Sequence, residues 1–135
     1  MNILITGAAG FVGRNLTESL KAIRDGKDRR FPALSIGELY CYDLDSPSEV
    51  LEEGCQNADF VFHLAGVNRP SDPKEFMEGN FGFSSVLLDT LKKHRSMAPV
   101  MLSSSVQATL QGRFSASEYG LSKKAVEDLF FRYAE

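Results

Sequence analysis

Short runs of β-forming residues alternate along the chain with longer stretches whose apolar positions recur at helical spacing, a pattern that predicts four strands each followed by a helix. Ile3-Leu4-Ile5-Thr6 is the first strand and opens directly into a glycine turn. Beyond the turn Leu16, Leu20 and Ile23 share one helical face, so a helix runs from Phe11 to Ile23. Asp25 to Pro32 mixes both charge signs with chain breakers and reads as a solvated loop. Leu39 to Tyr42 is the second strand, ending at Asp43; Ser46 as N-cap, Pro47 in the first turn and Glu49 then start a helix to about Cys55. Phe60 to Leu64 lacks a polar face, as a strand buried on both sides of a parallel sheet must. A third helix spans about Pro73 to Lys93, and Pro99 to Ser103 is the fourth strand. The last helix begins near Ser115, where Ser115 and Glu118 have capping-box spacing.

Such an order predicts an α/β fold, a Rossmann-like doubly wound parallel sheet, in one domain over residues 1–135. Composition narrows the partners. Fifteen basic against eighteen acidic side chains leave a formal charge of −3 with no basic run, which argues against nucleic acid. The apolar runs fall short of the ~20 residues of a membrane helix, and the N-terminus has neither the charged region nor the cleavage site of an export signal. A cytoplasmic protein without a membrane partner is expected. Cys41 and Cys55 lack CxxC spacing and read as reduced packing residues. No His, Cys and Asp cluster has metal-ligand spacing, so no metal is expected.

Two constellations carry chemistry. Gly7, Gly10 and Gly13 stand as G-x-x-G-x-x-G between a strand and a helix. That arrangement gives a sharp turn, close approach of backbone to a pyrophosphate, and a helix N-terminus aimed at the phosphates. Tyr119 and Lys123 lie four apart and share a helix face, where an ammonium group and the helix dipole favour the phenolate of a tyrosine whose free pKa is ~10. Ser103-Ser104-Ser105 follows the fourth strand at the carboxyl edge of the sheet, the side on which open α/β folds bind ligands. His63, ending a buried strand, reads as a structural residue.

Thr6 to Gly13, His63-Leu64-Ala65-Gly66, Asn80, the three serines and Tyr119 to Lys123, in that order, resemble the extended short-chain dehydrogenase/reductase family, also called the NAD-dependent epimerase/dehydratase family. The resemblance implies NAD(P)(H) held by Gly7, Gly10, Phe11, Val12 and Gly13, by Leu64, Ala65 and Gly66, and by Tyr119 and Lys123. It implies Tyr119 as proton donor or acceptor, Lys123 as the group that binds the nicotinamide ribose and lowers the tyrosine pKa, and Ser105, with Ser104 as fallback, as the group that polarises the substrate oxygen. His63 to Pro70 and Ser105 to Thr109 are further similar to bacterial nucleotide-sugar reductases of capsular-polysaccharide synthesis, which carry a C-terminal cupin domain. From these follows a reductase acting on a keto group of a nucleotide sugar. Arg69, in the loop after the third strand, is a candidate contact for the substrate diphosphate, and an unpaired edge on a four-strand sheet points to a homodimer. The chain resembles the front half of such a reductase, truncated after the catalytic helix, and is expected to be inactive alone. A nucleotide-sugar epimerase or dehydratase, and a non-catalytic dinucleotide-binding module, remain as alternatives.

Asp43 leaves the cofactor open. At the end of the second strand its carboxylate would bind the adenine ribose and select NAD. If Leu39 to Asp45 is instead the third strand of the family pattern, Asp43 contacts the adenine, and NADPH, the cofactor associated with the capsular relatives, fits with help from Arg29 or Arg30.

Overall fold

The computed structural model describes residues 1–66, 77–114 and 117–135. Its strands are β1 (Ile3–Thr6), β2 (Leu39–Tyr42), β3 (Phe60–His63) and β4 (Val100–Leu102). The helices are α1 (Phe11–Arg24), α2 (Ser48–Asn57), α3 (Phe83–Lys93) and α4 (Glu118–Ala134). A π-helical turn, Met77–Gly82, runs into α3, and two 3-10 turns, Val106–Thr109 and Gly112–Phe114, precede α4. Two compact units result, one of Met1–Ala65 with Thr90–Met101, the other of Gly66–Asp89 with Leu102–Glu135.

In the first unit the sheet order is β2-β1-β3-β4. β1 pairs in parallel with β2 in the register Thr6 to Tyr42, and with β3 in the register Thr6 to His63. The chain steps outward from β1 to β2 and then returns past β1 to β3, which is the reversal that makes a sheet doubly wound. Packing follows the two faces of β1. Ile3 and Ile5 meet Leu16, Leu20 and Ile23 of α1 together with Ile36 and Leu39. Leu4 points the other way, against Gly54 of α2, where an added Cβ would come within 2.7 Å of the leucine. Leu4, Ile5 and Val61 are fully buried, and each such side chain stabilises the fold by roughly 1.5–3 kcal/mol.

Two predicted caps are corrected. Ser46 does not cap α2; its hydroxyl accepts the Asp43 N–H at 3.0 Å and closes the turn after β2, so Pro47 takes the N-cap position and the helix runs on to Asn57. The last helix starts at Glu118 and is capped by Ser117, whose Oγ accepts the Gly120 N–H at 2.9 Å. Ser115 lies outside the described residues, as do Arg69 and the start of the predicted third helix from Pro73 to Phe76.

Candidate functional site

In the first unit the glycine turn sits where the strand order reverses, at the carboxyl ends of β1 and β3. Gly7 has φ +72°, and a Cβ there would stand 2.7 Å from the Ala65 N, so the turn lies directly against the end of β3. A Cβ on Gly13 would overlap the Gly7 carbonyl oxygen, and this contact holds α1 against the turn. Gly10 differs: its φ is −75°, and an added Cβ would meet nothing nearer than the Gly7 O at 3.4 Å. It borders open space. Gly10, Phe11 and Val12 are exposed at the start of α1, which has neither a side-chain cap nor an acidic residue in its first turn. Uncapped amides and the positive end of the dipole therefore face solvent, a ready site for an anion. The turn's other wall is tied down by Thr6, whose Oγ1 bonds His63 Nδ1 at 2.6 Å and accepts the Ala65 N–H at 3.2 Å. This is the structural role expected of His63. Leu64 and Ala65 follow it at the rim of the turn.

Asp43 stands at the end of β2, the strand next to β1, and not one strand further out. Its Oδ2 accepts the Ala9 N–H of the glycine turn at 2.8 Å, and its Oδ1 accepts the Leu44 N–H at 2.8 Å. Alongside runs a groove of about 440 Å³ lined by Ala8, Ala9, Arg14, Thr17, Asp43 and Ser46, with Lys21 also on its wall. Thr17 is buried, and its hydroxyl has no partner among the described residues. The groove's cations are Arg14 and Lys21. Arg30 is committed to Asp28 at 2.7 Å, and Arg29 donates to the Gly26 carbonyl.

The second unit gathers Gly66, Asn80, the serine run and α4. Lys123 is only 8% exposed, and its Nζ donates to the Ser103 carbonyl at 3.4 Å. That carbonyl is its one acceptor among the described residues, so hydrogens of the ammonium stay available. Gly66 makes room for it: a Cβ there would stand 3.2 Å from Nζ and 2.9 Å from the Asn80 Oδ1. Asn80, buried on the π-helical turn, donates from Nδ2 to the Ser122 Oγ at 2.9 Å, and Ser122 donates in turn to the Tyr119 carbonyl at 2.7 Å. Asn80 thus bridges two helical segments, and the extra residue in its turn is the kind of π-bulge that recurs at functional sites. The two serines divide clearly. Ser104 donates to Glu127 at 2.6 Å, whereas Ser105 accepts the Gln107 N–H at 3.2 Å and keeps its own hydrogen without an acceptor among the described residues. Ser105 is the one poised to donate.

The Lys123 Nζ lies 5.5 Å from the centre of the Tyr119 ring, over its face. The tyrosine shift runs opposite to the one the sequence suggests. Burial pushes the Tyr119 phenol above its ordinary value, and burial pushes the Lys123 ammonium below its own. Desolvation therefore dominates at both groups, and the phenol keeps its proton through the neutral range.

Sequence patterns found the glycines, the tyrosine and the lysine because each belongs to a fixed spacing. They did not single out Arg14 and Thr17 on the groove, nor Gln107, Ser117 and Ser122, since Gln107 with Ser117 and Ser122 with Asn80 pair at no periodic interval.

A glycine turn at a sheet's reversal point, with a serine, a tyrosine and a lysine after the fourth strand, defines a dinucleotide-dependent α/β class. The chain belongs to the NAD dependent epimerase/dehydratase family, matching it over residues 3–135. Among its relatives the UDP-2-acetamido-2,6-beta-L-arabino-hexul-4-ose reductase of Pseudomonas aeruginosa is 39% identical over 128 residues, 95% of this chain and 30% of that protein. The crystal structure of the capsular polysaccharide assembling protein CapF from Staphylococcus aureus matches with a TM-score of 0.71 at 38% identity, covering 99% of this chain and 32% of that one. MoeE5, solved in complex with UDP-glucose and NAD, matches with a TM-score of 0.68 at 28% identity, over 99% of this chain and 49% of that one. The chain spans about a third of the length of the first two. Among the described residues no helix is long and apolar enough to cross a membrane.

Proposed function

We propose that this chain is the cofactor-binding and acid–base part of an NAD(P)-dependent reductase acting on a keto group of a nucleotide sugar. The carrying observation is the buried Lys123 beside Gly66, which stands on the helix of Tyr119 and has ammonium hydrogens left to give. The relatives' names support the substrate class: one reduces a hexul-4-ose on UDP, and another holds UDP-glucose with NAD.

The residues fit the dinucleotide. Gly10, with open space beyond it, and the uncapped amides of Phe11, Val12 and Gly13 would take the pyrophosphate. Asp43, held by two backbone N–H groups, would offer its remaining lone pairs to the adenine ribose hydroxyls, which favours NAD. A second reading, NADP, has one observation behind it: Arg14 and Lys21 line the same groove. Leu64, Ala65 and Gly66 would flank the cofactor, and Lys123 would hold the nicotinamide ribose. When bound, the nicotinamide supplies the hydride.

Ser105 donates its free hydroxyl hydrogen to the substrate carbonyl and so polarises it. As the carbonyl carbon gains the hydride, its oxygen becomes an alkoxide and takes the Tyr119 proton; the resulting phenolate is reprotonated from solvent. A phenol pKa raised by burial keeps the donor form present at neutral pH, which suits the reductive direction. Arg69 is retained as a contact for the substrate diphosphate. Two unpaired cysteines suit a reducing cytoplasm, and a homodimer is kept as part of the proposal.

Calorimetric titration with NADH and NADPH, beside Gly10→Val, tests the cofactor site. Valine tolerates the Gly10 backbone angles and meets little protein, so the variant is expected to fold and to lose binding. A folded Gly10→Val protein with unchanged affinity contradicts the proposed pyrophosphate seat.

A further inference from the structure

Between Ser105 and Tyr119 the chain makes a closed set of contacts that the proposed chemistry does not itself require. Gln107 stands at its centre. Its backbone N–H donates to the Ser105 Oγ at 3.2 Å. Its side-chain Oε1 accepts from the Ser117 Oγ at 2.7 Å. The same Ser117 Oγ accepts the Gly120 N–H at 2.9 Å and so caps the turn of α4 that carries Tyr119. The backbone of Gln107 is seated as closely: a Cβ on Gly120 would overlap the Gln107 carbonyl oxygen, so no side chain fits at that point of the helix. Leu110 closes the turn with φ 56°, a left-handed conformation unfavourable for a branched residue, and its N–H donates to that same carbonyl at 3.2 Å. A strained residue kept in order to place one carbonyl against one glycine marks a position the fold determines tightly.

We propose that Gln107 is a positioning residue: it joins the serine that polarises the substrate oxygen to the first turn of the helix that carries the proton donor, so that the two move as one piece. Three linked hydrogen bonds, Ser105 to Gln107, Gln107 to Ser117 and Ser117 to Gly120, are the physical path. The bond to Ser105 has a second consequence. By occupying a lone pair of that hydroxyl it leaves the hydrogen to be given outward, to a carbonyl oxygen. Gln107 touches no reacting atom in this scheme, and its effect is on geometry, to which proton and hydride transfer are steeply sensitive.

The inference rests on the reading of Ser105 and Tyr119 as the reacting pair, and its test separates the two. In the full protein, Gln107→Met keeps length and apolar bulk and removes only the acceptor for Ser117. It is expected to lower kcat about 10-fold, with KM for the sugar and the Kd for NAD(P)H within about 2-fold of wild type. Gln107→Glu restores an acceptor oxygen and is expected to regain most of the lost rate. Ser117→Ala cuts the same bond from the other end, and the double variant Gln107→Met/Ser117→Ala is expected to be no slower than the slower single variant. A Gln107→Met protein with wild-type kcat, or single effects that multiply in the double variant, overturns the proposal. Should Gln107→Met fail to fold, Ser117→Ala beside Gln107→Glu decides it: a rate loss in the first alone supports the proposal, and loss in both or neither overturns it. If Tyr119→Phe retains activity, the reading of the reacting pair fails; if Tyr119→Phe is inactive while the Gln107 variants are normal, only the positioning role fails.

Discussion

The turn after β1 and the first turn of α4 are assembled from opposite materials. At the first, backbone meets backbone: Gly7 lies against Ala65, Gly13 lies against Gly7, and the site is shaped by side chains that are absent. At the second, side chains make the contacts: Gln107 bonds Ser117 and Asn80 bonds Ser122 side chain to side chain, while the Ser105 and Ser122 hydroxyls bond the Gln107 N–H and the Tyr119 carbonyl. At Gly7 and Gly13 the turn tolerates no added side chain. A network of hydroxyls and amides tolerates small changes of size but fails when a donor or an acceptor is lost. The proposed cofactor seat and the proposed proton donor are therefore vulnerable to different classes of substitution.

The largest effect that would sharpen this contrast is expected at Gly13. A valine there drives its Cβ into the Gly7 carbonyl, backbone that has nowhere to move, and is expected to cost about 3 kcal/mol or more in thermal or urea unfolding. Gly10→Val, one turn earlier in the same motif, is expected to melt near wild type while losing the cofactor. Equal destabilisation at both positions would break the distinction between the glycine that packs and the glycine that borders the ligand.

An intermediate effect is expected at Asp43. Asp43→Asn keeps one acceptor for the Ala9 N–H and removes the charge, so NAD affinity is expected to fall about 10-fold while discrimination against NADP relaxes. Competitive binding of the two cofactors measures both. If NADP binds the wild type better and Arg14→Ala abolishes that advantage, the groove serves a 2′-phosphate.

The smallest effect concerns a contact away from both regions. Glu52 accepts from His94 at 2.6 Å and from Lys93 at 3.2 Å, which holds its carboxyl below the usual 4.5. A depressed carboxyl contributes stability that is present above pH 4.5 and is lost as pH falls through its folded value. Glu52→Gln is expected to lower the melting temperature slightly at neutral pH and to converge with the wild type in acid, so that its dependence on acid below that point is flatter. An undiminished acid dependence would place the responsible carboxylate elsewhere, with Asp28, lowered to about 2 by Arg30, the next to examine.

The same contrast explains what could be read from the sequence. The first region is written locally: Ile3 to Gly13 is one uninterrupted segment, and its glycine spacing states the turn and the helix start together, with the proposed anion site between them. The parallel, doubly wound class was also legible, since four strands alternating with helices leave few topologies. In the second region Tyr119 and Lys123 declared themselves by sharing a helix face, but their supports did not. Ser117, and not Ser115, caps the helix because Gln107, ten residues earlier, holds it, and no pattern of hydrophobicity signals a bond between two polar loop residues. The direction of the tyrosine shift was out of reach for a related reason. Spacing shows that an ammonium group is near the ring, but only the packed structure shows that burial outweighs it.

The proposal stands or falls on Tyr119 giving the proton while the glycine turn, whose closest contacts are backbone against backbone, holds the cofactor independently of it. Single-turnover reduction by the full protein carrying Tyr119→Phe, with NAD(P)H affinity measured in parallel, tests this directly. The expected result is a rate lowered about 100-fold or more with cofactor Kd unchanged within about 2-fold. Reduction at close to the wild-type rate, or a loss of rate explained wholly by lost cofactor binding, would contradict it.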